Sequence, residues 1–144
     1  MHEAIRRLIQ SQDICVLATS RIDTPHTSLM GYAPSEDCST FFLATYRSTT
    51  KFANLMANPE VSLLLDDRNA HPGHQRQRTA ALTVHGRAEV LRDPEQRAVA
   101  AALLHHALPH LRDFLAGREI EYIAVRARDF LLLQGPTEAV HEQA

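Results

Sequence analysis

Ser48, Thr49, Thr50 and Lys51 stand in a row between an apolar run and a segment with helical spacing, and that order of residue types suits a phosphate-binding turn. Small hydroxyl side chains are good helix N-caps. The first N–H groups of a helix have no internal partner, and with the helix dipole they attract anions. Lys51 adds a full positive charge at that point, and Arg47 offers a second. Ala44 to Leu65 therefore reads as strand end, hydroxyl-rich turn, short helix, Asn-Pro stop and buried strand, a seat for a phosphate-bearing molecule. An ordinary capped helix with Lys51 in solvent has the same spacing.

Other reactive side chains point less far. Ser48 and Lys51 match the S-x-x-K of serine β-lactamases, but the chain is short for that fold and has neither S-D-N nor K-T-G. The nine histidines include His71 with His74, and His105, His106 and His110. Pro109 interrupts the second group and no cysteine is near either, so loop histidines rather than a tetrahedral metal site are expected. Cys15 lies in the apolar run ICVLA, the setting of an inert core thiol rather than a reactive thiolate.

The elements that must position the seat can be read in chain order. Ile5, Leu8 and Ile9 give Glu3 to Gln10 the spacing of an amphipathic helix, expected to lie on the sheet as a lid. Ile14 to Ser20 is a buried strand, and the turn Arg21 to Pro25 leads to a second strand in HTSLMGYAP, the hairpin pattern of two runs about one turn. Thr40 to Thr45 is the third strand. Phe52, Leu55 and Met56 give the helix after Thr50 its apolar face, and Asn58-Pro59 stops it. VSLLL follows as a strand apolar on both faces, one for the core and one for a second subunit.

Asp66 to Thr79 is an irregular polar loop, expected with the N-terminal helix to line a substrate pocket. Ala81 to Leu91 is a long strand in which Gly86 marks a bulge or sharp bend. Asp93 and Pro94 start a helix that runs to Pro109, with Gln96 placed to close a capping pair. LRDFLAG makes a shorter helical segment and YIAVRARDFLLL one or two closing strands; the polar tail after Pro136 is expected to fray. Strands in consecutive runs, six or seven in all with three or four short helices, point to a mainly β, antiparallel barrel with peripheral helices, in one domain over residues 1–144.

Composition narrows the function classes. With 44% apolar and 22% charged residues the chain is ordinary globular protein, and a net charge of −2 carries no footprint for nucleic acid. The N-terminus lacks the apolar region of a secretory signal, and no apolar run reaches the ~20 residues a membrane span needs. A cytoplasmic protein with two reduced cysteines and no membrane partner is the expectation.

TSLMGYA, FFLATYRSTTKFANLMANPEVSLLL and ALTVHGRAEVL in succession resemble the pyridoxamine 5′-phosphate oxidase-like family of flavin-binding split β-barrels. The resemblance runs from about Ile14 to Leu91 and more weakly to Leu133. It implies that Thr45, Ser48, Thr49, Thr50 and Lys51 hold the phosphate and ribityl chain of flavin mononucleotide (FMN), and that Ser28, Leu29 and Met30 lay backbone along the flavin ring. It also implies a homodimer with each flavin at the subunit interface, and a flavin-dependent oxidoreductase acting on a small molecule. The sequence departs from the oxidases proper, which carry Arg at the positions of Ser28 and Thr50, Gln near Ala81, and a C-terminal product-binding segment. Two alternatives stay open: a non-catalytic flavin or haem carrier, since the haem-utilisation branch uses a histidine near its C-terminus and this chain has His141 there, though without that branch's glycine-rich context, and a deazaflavin-dependent reductase.

Overall fold

The computed structural model describes residues 1–144 as one continuous antiparallel sheet curled into an open half-barrel, with four α-helices around it. The strands are β1 (Ile14–Arg21), β2 (Thr24–Gly31), β3 (Ala33–Pro34), β4 (Thr40–Tyr46), β5 (Glu60–Asp66), β6 (Ala80–Val90), β7 (Ile120–Gln134) and β8 (Glu138–Gln143). The helices are α1 (Glu3–Ser11), α2 (Thr50–Ala57), α3 (Pro94–Ala107) and α4 (Arg112–Leu115). Strand order is β2-β1-β5-β6-β7-β4-β3, with β8 also on β7.

The split in the barrel comes from β7. One of its edges follows β6 along most of its length, whereas the other pairs residues 120–126 with β4 and residues 129–134 with β8. The change of partner coincides with a register shift at His85/Gly86 in β6. A Cβ on Gly86 would sit 2.6 Å from the Arg126 carbonyl oxygen, so the two backbones approach this closely only because the position is glycine. The expected bulge is therefore present, and its cause is a long-range contact.

Two apolar clusters result. Inside the barrel, Leu17, Phe41, Leu43, Leu63, Leu65, Leu82, Val84, Phe130 and Leu132 pack together, each essentially without exposure. Helix α1 belongs to this core: Ile5 and Ile9 are fully buried in it, and the Tyr32 hydroxyl donates to the Ile9 carbonyl at 2.6 Å. It is a plug and not the lid expected. On the outside of β4 and β7, α3 covers a second cluster that includes Ala44, Leu91, Ala100, Leu104, Tyr122 and Ala124.

Two further points differ from the sequence-based expectation. There are eight strands where six or seven were expected, because β3 is a two-residue strand and the tail after Pro136 forms β8. That tail is held by ladder pairing to β7 and by Glu142, whose carboxylate accepts from the His2 N–H at 2.8 Å. The loop from 66 to 79 contains two short 3-10 segments, Arg68–Ala70 and Gly73–Arg78. In β5 the burial alternates, with Val61, Leu63 and Leu65 inside and Leu64 on the outer face at 36% exposure.

Candidate functional site

Strand β4 delivers the chain to the candidate seat. It ends at Tyr46, three residues turn, and α2 begins at Thr50 with Thr49 as its N-cap. The Thr49 hydroxyl accepts from the Phe52 N–H at 3.3 Å and donates to the Tyr46 carbonyl at 2.9 Å. Thr45, almost fully buried, lies 3.1 Å from it, oxygen to oxygen. With its one proton committed to Tyr46, Thr49 must accept from Thr45. Both threonines therefore shape the turn, and neither offers a free hydroxyl proton.

The free donors lie elsewhere on the same turn. Within the chain the backbone N–H groups of Ser48, Thr50 and Lys51 have no acceptor, and the side chains of Ser48 and Thr50 are exposed. These three N–H groups, the dipole of α2 and the Lys51 ammonium make an anion-attracting point. The far end of α2 is fixed to β1: Asn54 donates to the Thr19 hydroxyl at 3.0 Å and Asn58 to the Ser20 hydroxyl at 3.0 Å. The seat is thus carried on an anchored helix.

Next to the seat lies a cleft of about 260 Å³. Its walls bring Leu29, Met30 and Gly31 of β2 together with Ala44, Thr45, Tyr46, Thr49 and Lys51. The remaining wall is Leu104 and Leu108 with Leu111, Phe114 and Leu115. Of the sequence-selected residues, Leu29, Met30, Thr45, Thr49 and Lys51 meet here, whereas Ser28, Ser48 and Thr50 do not line the cleft. The 66–79 loop and α1, expected to line a pocket, contribute nothing to it.

The segment after α3 is the part sequence reasoning missed. Leu104, Leu108, Leu111 and Leu115 recur at helical spacing on either side of Pro109, a stripe that could have been found had the proline not been read as the end of the pattern. It is held over the cleft by Tyr46, whose hydroxyl donates to the Phe114 carbonyl at 2.8 Å while the two rings pack with centroids 4.6 Å apart. A Cβ on Gly31 would meet the Leu108 side chain at 2.7 Å, so a small residue is what lets this wall approach β2.

Arg47 is not in the cleft. Its Nε lies 3.0 Å from Oε1 of Glu121, a buried carboxylate opposite Thr45 in the β4–β7 ladder. Apart from Lys51 and Tyr46, no lining residue of the cleft is titratable. Cys15 lies outside it, and burial pushes its thiol up to about 12. No helix is long and apolar enough to cross a membrane.

A family model described as pyridoxamine 5′-phosphate oxidase matches residues 1–126 of the chain. A Schizosaccharomyces pombe protein described as a pyridoxamine 5′-phosphate oxidase homolog is 38% identical over a stretch covering 44% of this chain and 37% of its own length. Among solved structures, a heme binding protein from Mycobacterium smegmatis superposes with a TM-score of 0.86 at 18% identity, covering 98% of this chain and 57% of its own. A FAD-binding protein from Mesorhizobium loti superposes with a TM-score of 0.74 at 18% identity, covering 92% of this chain and 94% of its own. The chain thus spans little more than half of the mycobacterial protein, and at these identities the two structures speak to the fold.

Proposed function

The chain belongs to the pyridoxamine 5′-phosphate oxidase family, and from that premise we propose that it binds a flavin, with the phosphate of FMN on the first turn of α2. The observation that carries this reading is the pairing of unpartnered Ser48, Thr50 and Lys51 N–H groups and the Lys51 ammonium with an apolar cleft directly alongside. An anion and a flat apolar ring joined by a short chain would fill both. Lys51 supplies charge, the α2 amides supply directed donors, and Leu29, Met30 and the Leu104–Leu115 wall exclude water from the ring's side. When bound, the flavin would supply hydride or electron transfer, the protein contributing position and electrostatics. With no acid or base in the cleft beyond Lys51 and Tyr46, a flavin-dependent oxidoreductase acting on a small molecule is the activity that fits best.

A homodimer belongs to the same proposal. Leu29 at 73%, Ile14 at 47%, Leu64 at 36% and Leu133 at 44% exposure stand on the outer face of the sheet, and Val16 is the ladder partner of both Leu29 and Leu64. Leu29 also lines the cleft, so a second subunit on this face would close the flavin site as well as cover the patch. Cytoplasmic residence fits such a role.

One observation favours a haem carrier as a second reading. His85 Nδ1 lies 2.7 Å from Asp129 Oδ1, a carboxylate that orients a partly exposed ring, as is usual for metal-ligating histidines. The purified protein decides between them by its visible spectrum and the mass of the cofactor it releases. Flavin bands and FMN mass are expected; a Soret band selects haem, the mass of a deazaflavin selects that cofactor, and a colourless protein that takes up no added flavin overturns the reading.

A further inference from the structure

Glu121 carries a full charge at an enclosed point of the fold. It stands on β7 opposite Thr45 with its side chain 6% exposed, a burial that is costly unless both carboxylate oxygens find partners. Oε1 lies 3.0 Å from Arg47 Nε, and Oε2 lies 2.9 Å from Arg97 Nη1; Arg92 Nη1 stands further off, 3.9 Å from Oε1.

The two close partners belong to opposite halves of the candidate site. Arg47 is the first residue of the turn between β4 and α2, and its N–H also donates to the Glu119 carbonyl at 3.2 Å. The last residue of that turn, Thr49, is held by its own bonds to Tyr46. Ser48 lies between them with a free N–H, so the direction of that donor depends on how the two ends of the turn are fixed. Arg97 lies in the first turn of α3, where it also donates to the Leu91 carbonyl at 3.3 Å and sits over the Tyr122 ring at 5.2 Å. Leu104, two helical turns further along α3, lines the cleft. One carboxylate thus joins the phosphate turn to the helix that carries part of the apolar wall.

We propose that Glu121 is a positioning residue of the site, setting through Arg47 and Arg97 the separation between the anion seat and the cleft. The inference rests on the flavin reading above and adds what holds the two halves of that site one ligand's length apart. A ligand whose phosphate and ring are linked gains from both subsites only when their spacing matches the linker. Loosening the joint should therefore weaken the linked ligand and spare the ring alone. The charge of Arg47 goes to Glu121 in this account, and Lys51 remains the side-chain cation of the seat.

Flavin-free protein is titrated, by flavin fluorescence, with FMN and with riboflavin, which has the ring and chain but no phosphate. Glu121→Gln, which keeps the size of the side chain and removes its charge, should weaken FMN binding by about tenfold and leave riboflavin binding unchanged. Arg47→Gln, a change at a side chain that is 54% exposed, should also weaken FMN alone. Combining the two should bring no further loss beyond Glu121→Gln, because both act through one contact. FMN affinity unmoved by either substitution, or riboflavin weakened as much as FMN, overturns the inference. So does a further loss in the double variant, which would put Arg47 on the phosphate itself. Wild-type protein that binds neither flavin overturns the flavin reading, and this inference with it.

Discussion

Helix α1 and the segment from α3 to α4 are both amphipathic pieces laid on one sheet, yet only one of them leaves room for a ligand. Helix α1 sinks Ile5 and Ile9 into the barrel and seals it, with Tyr32 tying down its last turn. The other segment breaks at Pro109, lays Leu108 against Gly31 and Phe114 against Tyr46, and keeps a cleft between its leucine stripe and β2. Apolar periodicity tells which face of a helix is covered. Whether the covered side is filled depends on how straight the segment is and on what stands opposite.

The sharpest way to break this contrast is at the plug. Ile9→Ala should cost about 2–5 kcal/mol of stability, because it opens a void in a fully enclosed site; urea denaturation measures it, and a loss below about 1 kcal/mol would return α1 to the status of a loose lid. Leu111→Ala, at a half-buried wall position, should cost about 1 kcal/mol or less while changing flavin affinity, an inverse pattern that titration and melting together can read. The smallest effect is at Cys15, in the same core as α1. Its thiol, raised by burial from 9.0 to about 12, should resist alkylation at pH 8 in the folded protein; modification faster than global unfolding would mean that α1 opens. The sign for stability follows from the same shift: between about pH 9 and pH 12 only the unfolded chain's thiol ionises, so stability should fall as pH climbs through that window.

The features legible in the sequence were those with local causes. Asp93 caps α3 by accepting from the Gln96 N–H at 3.1 Å and Thr49 caps α2, each where residue type alone pointed. The illegible ones depend on partners far away in the chain. Arg47 turns to Glu121, 74 positions on, and β8 is a polar hexapeptide that becomes a strand because β7 is long enough to offer it an edge. Likewise, Thr45 and Thr49 shape the turn because their hydroxyls are spent on each other and on the Tyr46 carbonyl.

The seat itself is tested most directly by titrating the wild-type protein and Lys51→Ala with FMN side by side. Losing a charge-assisted contact to a phosphate dianion should weaken binding by about 1.5–3 kcal/mol, roughly ten- to a hundredfold, with the melting temperature unchanged because no core group is removed. Equal affinity in the two proteins would contradict the placement of the phosphate on the first turn of α2.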